Sequence, residues 1–331
     1  MLWRRPPPSW YALTLAGFAA AAFLGRRVDE RLAVRPVAGQ RLAGQSVGGG
    51  GGGPRTTQKI SKTADGRTAQ YGFQNFTGDK LEVSFSISDK DLKAYDDAFG
   101  YTQADLDALK ASKAAARKEA LANAEKQGAS QAQLDASIAV IEKDYKQKLK
   151  DYLAGRGFVL EPGNVVVVDM PGLVRRNAPT IKPLAQIFGR AAQERRYGSA
   201  DIIGSVLSFV QTAMFYKEPD SVVDGKHNGG ILQPLESVVS GWGDCDTKTG
   251  VMASILANWP KTMMVGVSVP GHFLMGVLQI PEKGDTFLEY QGLQYVLVEP
   301  AGPAWLPPGR VGEETSALLA GSEGYRIEPF F

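Results

Sequence analysis

A run of six glycines, Gly48 to Gly53, followed by Pro54, divides this chain more sharply than any other feature. Glycine loses more backbone freedom on folding than any other residue and brings no side chain to bury. Residues 26–54 combine this run with small and basic residues, so they cannot bury enough apolar surface to become ordered. The sequence therefore predicts a flexible linker here, and a globular fold that begins at about Arg55.

Residues 1–25, before the linker, are predicted to be directed to a membrane. The apolar run Trp10 to Leu24 is shorter than the ~20 residues that usually span a bilayer, and its length also fits a signal-peptide core. Arginines lie on both sides of it, so flanking charge orients it only weakly. Because local thinning accommodates short spans, we favour an uncleaved anchor with the remainder facing the periplasm or the extracellular side. A cleaved and secreted form is the second choice.

The composition of the chain limits the classes of protein to which it can belong. A chain of 331 residues with 44% hydrophobic content can bury one good core and a smaller domain. The net charge of +2, without a basic and aromatic stripe, argues against a nucleic-acid partner. One cysteine excludes an internal disulfide, and with two histidines it argues against a zinc site. No lysine and hydroxyl pair follows the glycines, so we expect no phosphate-binding loop, no cofactor and no metal.

Residues 55–157 are predicted to form a β-meander followed by a helical hairpin. Strand patterns at Thr56–Lys62, Thr68–Phe76 and Leu81–Ser88 are separated by turn formers. A capping box at Thr102–Asp105 opens a helix that runs to about Gln127, and Gly128 breaks it. The second helix is expected from Ser130 to about Ala154.

The second helix carries an apolar seam of nearly heptad spacing. The seam consists of Leu134, Ile138, Ile141, Tyr145, Leu149 and Tyr152. Two interpretations of the hairpin 102–154 stay open: a solvated arm that packs only on itself, or a docking device for a protein partner.

Residues 158–331 are predicted to be a catalytic domain organised around the only cysteine. The run Val165–Val168 reads as a strand closed by a turn at Asp169–Gly172. Further on, Gly241-Trp242-Gly243 precedes Asp244, which stands where a helix N-cap would, and a short, mostly apolar helix follows. Cys245 is thus expected at a helix N-terminus, where free N–H groups and the dipole favour the thiolate.

A base and an acid for this cysteine are found downstream. His227 lies among turn formers and is interpreted as a solvated loop histidine. His272 opens the apolar strand Phe273 to Ile280, which would hold it rigidly. The next strand pair ends at Glu299-Pro300, which places a carboxylate at a strand end.

This layout resembles the transglutaminase-like superfamily of papain-type thiol enzymes, in particular bacterial cysteine peptidases. The resemblance covers roughly positions 180 to 308 and includes a lead-in to Gly243-Asp244-Cys245. The lead-in comprises Ser205–Gln211, Phe215-Tyr216, Pro219-Asp220 and Leu232–Val238. Two departures are Glu299-Pro300-Ala301, where the family usually has Asp-Pro-Thr, and Asp246-Thr247, where it has Asp-Glu or Asp-Asp.

The resemblance implies an α+β fold in which the helix bearing the cysteine packs on an antiparallel sheet, a papain/transglutaminase-like core. It implies that Cys245 attacks an amide carbonyl of a protein or peptide, that His272 transfers the proton and that Glu299 orients the ring. The backbone N–H of Cys245 would be the first oxyanion donor, and either Gln233 or the Gly241–Gly243 loop the second. Trp242 either walls the substrate groove or fills a packing gap.

Hydrolysis is favoured over cross-linking. A transferase needs an apolar tunnel over the sulfur, and neither Trp242 nor Trp259 looks placed to build one. The loop from Pro219 to Gly230 is glycine-rich and polar, so we expect an open, water-accessible groove. The alternatives are a catalytically silent domain that binds peptide or cell-wall material, and a scaffold that acts through the helical hairpin.

Overall fold

A computed structural model describes the backbone of residues 33–34 together with residues 54–322 and 324–330. The predicted anchor Trp10 to Leu24 and most of the predicted linker lie outside these ranges. Among the residues that are described, no helix combines the length and the apolar character needed to cross a membrane.

The described residues form a mixed α/β fold. The strands are β1 (Ala33–Val34), β2 (Thr57–Lys62), β3 (Gly66–Gln74), β4 (Lys80–Ser88), β5 (Tyr101–Thr102), β6 (Phe158–Glu161), β7 (Val165–Val168), β8 (Phe215–Tyr216), β9 (Val222–Val223), β10 (Lys226–His227), β11 (Trp242–Gly243), β12 (Met264–Val269), β13 (His272–Leu278), β14 (Phe287–Tyr290), β15 (Leu293–Val298) and β16 (Arg326–Pro329). The α-helices are α1 (Asp89–Asp97), α2 (Gln103–Gln127), α3 (Gln131–Gly155), α4 (Met170–Thr180), α5 (Lys182–Arg195), α6 (Ser199–Ser208), α7 (Pro234–Ser240), α8 (Cys245–Leu256) and α9 (Glu313–Ala320), and a π-helical turn (Phe209–Ala213) follows α6.

The predicted meander is confirmed as the antiparallel sheet β2-β3-β4. Its strands alternate between buried and exposed residues because one face packs on helices. Tyr71 packs edge-on against Phe209 with ring centroids 5.0 Å apart, and Phe73 lies 6.3 Å from Phe188. The meander therefore shares one hydrophobic core with the helices and strands after residue 158.

The helical hairpin is confirmed, with ends close to the predicted ones. Capping boxes at Thr102 and Ser130 begin the two helices, and Gly128 ends the first with φ 61°. The seam of α3 faces α2, where Lys113 Nζ lies 4.2 Å from the Tyr145 ring centroid and 3.5 Å from Glu142. In this structure the seam of α3 thus packs against α2 within the hairpin.

The base of the hairpin packs on the body of the protein. Leu106 and Leu153 belong to the shared core. Gly100 N–H donates to Arg156 O at 3.0 Å, and Arg156 Nε donates back to Gly100 O at 2.5 Å. The residues that precede and follow the hairpin therefore lie side by side.

The second large sheet is antiparallel, with strand order β14-β15-β13-β12-β16. Strand β16 pairs with β12, as expected for a tail that closes the sheet. Helix α8 packs between β13 and helices α4 and α7, and all its residues are buried. The helix that begins at Cys245 is therefore central to the fold.

Two local predictions are wrong. Asp169–Gly172 is not only a turn, because it starts α4: Asp169 caps the helix by accepting from Gly172 N–H at 2.8 Å, and proline is tolerated in a first turn. His227 is not a solvated loop residue. It lies in β10, is half-buried, and stacks on Tyr101 with ring centroids 4.9 Å apart.

Candidate active site

The start of the cysteine helix is built as the sequence predicts. Gly241 ends α7 with φ 82°, a conformation that favours glycine, and β11 then runs parallel to β8. Asp244 is the N-cap of α8, and its Oδ1 accepts from Thr247 N–H at 3.0 Å. Cys245 is the first helical residue, and no hydrogen bond to its N–H occurs in the described part of the chain.

His272 and Glu299 meet across two neighbouring strands. His272 begins β13, Glu299 directly follows β15, and these strands pair. His272 Nε2 is hydrogen-bonded to Glu299 Oε1. Since a carboxylate only accepts, Nε2 carries the proton and Nδ1 is left to take one.

The carboxylate of Glu299 is held by further donors. Thr315 Oγ1 donates to Oε1 at 3.1 Å, and Gly312 N–H donates to Oε2 at 3.0 Å. Burial acts to raise the pKa of Glu299, but the hydrogen bond from His272, the positive charge of this imidazole when it is protonated, and these two donors together lower the pKa. Glu299 is therefore ionised at neutral pH and fixed in position to orient the imidazole.

The thiol is less activated than its helix-start position suggests. Burial, together with the carboxylates of Asp246 and Asp244, raises the pKa of Cys245 well above its ordinary value. The S–H group donates to Asp246 Oδ1 at 3.6 Å. The expectation of an enriched thiolate is thus wrong for this structure, because desolvation and two adjacent acids outweigh the helix N-terminus.

The three acidic groups form one buried cluster. The sulfur of Cys245 and a carboxylate oxygen from each of Asp244 and Asp246 all lie within 4.8 Å of one another. Burial and the charge of Asp244 raise the pKa of Asp246 well above its ordinary value. Burial therefore disfavours the charged forms of both Asp246 and Cys245.

Cys245 and His272 lie on elements that pack directly on each other. Helix α8 contacts β13, and the backbone N–H of Phe273, the residue after His272, lies beside the sulfur and acts to lower the pKa of Cys245. Within residues 54–322 the thiol makes no hydrogen bond to His272. The structure thus contains the His272–Glu299 pair, whereas the thiol still points to Asp246.

The remaining predicted residues have other contacts. Gln233 Nε2 donates one of its two N–H groups to the backbone carbonyl of Tyr95 at 3.1 Å, so only the other could serve an oxyanion. Trp242 is half-buried, and Lys217 Nζ lies 4.4 Å from its ring centroid.

The expected open groove over the sulfur is not present. Cys245 is 1% exposed, His272 8% and Glu299 6%. The strand β8, with the exposed side chains of Phe215 and Tyr216, runs along the loop that precedes the cysteine. A substrate can reach the sulfur only if part of this covering moves.

Sequence reasoning missed two buried polar residues near the site. Gln211 lies in the lead-in and holds the loop after β15: its Nε2 donates to Glu299 O at 2.8 Å, and its Oε1 accepts from Leu306 N–H at 2.9 Å. Lys248 lies in the cysteine helix and is 0% exposed. The available signal for Lys248 was the position of a lysine within the short, mostly apolar helix that begins at Cys245.

No protein-family model, curated protein or solved structure matches this chain. The class that the described residues define is a mixed α/β protein with an antiparallel sheet, a buried cysteine helix and a histidine–glutamate pair beside it.

Proposed function

We propose that this chain is a membrane-tethered thiol enzyme with a papain/transglutaminase-like core that acts on amide bonds of a protein or peptide. The observation that carries the proposal is the His272–Glu299 pair at the start of β13, the strand on which the cysteine helix packs. The imidazole of His272 is buried, and the Glu299 carboxylate that binds its Nε2 also accepts from Thr315 and Gly312. This arrangement orients the imidazole as a general base.

In the proposed reaction, Cys245 Sγ attacks the amide carbonyl carbon while His272 Nδ1 takes the thiol proton. The carbonyl oxygen becomes an oxyanion, for which the free N–H of Cys245 is the first donor. His272 returns the proton to the leaving amine, the carbon–nitrogen bond breaks, and an acyl-thioester remains. Water, activated by His272, then releases the acid and restores the thiol.

The raised pKa of Cys245 favours proton transfer during attack over a preformed thiolate. For this step the S–H group must turn from Asp246 towards His272 on the neighbouring strand β13. Substrate binding that shifts β8 would provide the space.

Hydrolysis remains the proposed outcome, although the open groove that favoured it is absent. Trp242 stacks on the exposed Lys217 ammonium, and Trp259 lies beyond the last turn of α8. Because an exposed cation lies over its ring, Trp242 does not wall a wholly apolar tunnel of the kind that a transferase needs.

The test uses the full chain with casein and a fluorescent primary amine. We expect Cys245-dependent cleavage that outpaces amine incorporation, with Cys245→Ala and His272→Ala inactive but folded. Glu299→Gln should retain more activity, because it only weakens ring orientation. Wild-type activity in both the cysteine and the histidine variant would contradict the proposal, and incorporation that outpaces cleavage would reassign the enzyme to cross-linking.

The buried thiol favours one alternative, a catalytically silent domain that binds peptide or cell-wall material. This alternative predicts no turnover, together with peptide binding that Cys245→Ala leaves unchanged. The third candidate, a scaffold acting through the hairpin 102–154, predicts binding of a protein partner that is lost when the hairpin is shortened.

A further inference from the structure

Helix α8 contains a lysine whose side chain is completely buried. Lys248 is 0% exposed, and its backbone N–H donates to Asp244 O at 2.9 Å, one turn back along the helix. Its Nζ donates to Met214 O at 2.8 Å. In the described ranges no carboxylate forms an ion pair with this ammonium at 4 Å or less.

Burying an ammonium with a single carbonyl partner is costly, and an apolar side chain of similar volume would avoid the cost. The position of Lys248 relates it to the thiol, because it lies three residues after Cys245 on the same helix and is bound to the residue that precedes β8. Asp244 and Cys245 are the acidic groups whose ionised forms would attract its ammonium.

The other titratable groups around this cluster come from four elements or segments. They are Asp246 on α8, Tyr216 and Glu218 on the segment after Met214, His272 on β13 and Glu328 on β16. Lys248 is the lysine in this group, so without it the thiolate would form beside acids, one tyrosine and His272.

We propose that Lys248 is a positioning residue for Cys245: its ammonium, seated on Met214 O, supplies the buried positive charge that favours ionisation of the thiol. This rests on the proposed function, in which the sulfur must become anionic on the way to the thioester. The same contact ties β8 to the cysteine helix, so the charge is held at a fixed place.

The sign of the effect is set by two titrations. Burial lowers the pKa of Lys248 to about 7, against the opposing charges of Asp244 and Cys245. Below that pH the lysine is charged and favours the thiolate; as the pH rises further, it becomes neutral and the effect fades. A purely structural lysine would give no such pH dependence.

The experiment measures the alkylation rate of the full chain with iodoacetamide at a series of pH values. Because the chain has one cysteine, every cysteine adduct reports on Cys245. Lys248→Met removes charge and donor, Lys248→Gln keeps a donor without charge, and Lys248→Arg keeps the charge. Lys143→Met, an exposed lysine on α3, controls for net charge, and thermal unfolding checks that each variant folds.

We expect the Met and Gln variants to react about tenfold more slowly than wild type below pH ~7, equivalent to one unit in the thiol pKa, with Arg restoring the rate. The ratio should approach one at higher pH. Equal rates at all pH values would overturn the proposal, as would a Gln variant that matches wild type. If the Met variant fails to fold, the Gln and Arg pair decides. Since alkylation needs no turnover, a failure of the proposed enzyme is seen separately, as activity that persists in Cys245→Ala.

Discussion

Replacing Asp244 with asparagine should make the protein less sensitive to neutral and alkaline pH. Asp244 is 3% exposed, and burial raises its pKa from 3.8 to about 6. Below the pKa of the unfolded chain the carboxyl is protonated in both states and costs nothing. Above the folded pKa it must ionise in a buried place, so folding loses free energy.

The magnitude follows from the size of this shift. About two pKa units correspond to about 3 kcal/mol of unfolding free energy that the wild type loses between about pH 4 and pH 8. Asparagine does not ionise, and its oxygen can still accept from Thr247 N–H, which Asp244 does at 3.0 Å. Its buried NH₂ group adds a fixed cost of about 1–3 kcal/mol at every pH.

The measured quantity is therefore the difference between variant and wild type as a function of pH. Urea unfolding of the full chain, followed by tryptophan fluorescence, should give Asp244→Asn a relative gain of about 3 kcal/mol from about pH 4 to pH 8. Asp135→Asn, at an exposed position on the hairpin, is the control. A difference that does not change with pH for Asp244→Asn would refute the reasoning that burial of this carboxyl penalises its charge.

Three further predictions concern other parts of the chain. Leu153→Ala, at a 0% exposed position at the base of the hairpin, should lower the unfolding free energy by about 2–5 kcal/mol, whereas Val140→Ser, 68% exposed, should change it by less than about 0.5 kcal/mol in the same urea assay. Gln211→Leu leaves the Leu306 N–H and the Glu299 carbonyl without a partner and should cost at least about 2 kcal/mol; an unchanged urea midpoint would contradict this. Full-length protein should pellet with membranes and resist carbonate extraction, while a chain starting at Arg55 should be soluble; intact full-length protein in the soluble fraction would remove the anchor.

Features that depend on neighbours in the sequence were predictable. The capping boxes at Thr102 and Ser130, with Gly128 between them, define the hairpin to within about a residue because each uses groups three residues apart. Asp244 likewise marks the start of the cysteine helix. The pairing of His272 with Glu299 follows from the order of two adjacent strands.

Features that depend on distant packing were not predictable. The partner of Gln233 is Tyr95, 138 residues earlier, and no local pattern connects them. Cys245 is buried among elements that are distant in the sequence, including β8 and β13. This burial and the two neighbouring carboxylates together raise the pKa of the thiol. Helix α4 was missed because Pro171 and Gly172 resemble a turn, although a proline in a first turn is compatible with a helix.

The paired ends of the helical hairpin have a consequence for how this protein can change over evolutionary time. Because Gly100 and Arg156 are joined by hydrogen bonds in both directions, the body of the protein meets the hairpin as it would meet a closed surface loop. The entropy of closing such a loop grows only with the logarithm of its length. We therefore expect that evolution can add or remove whole helical turns of the hairpin near Gly128 without moving the cysteine helix in the core.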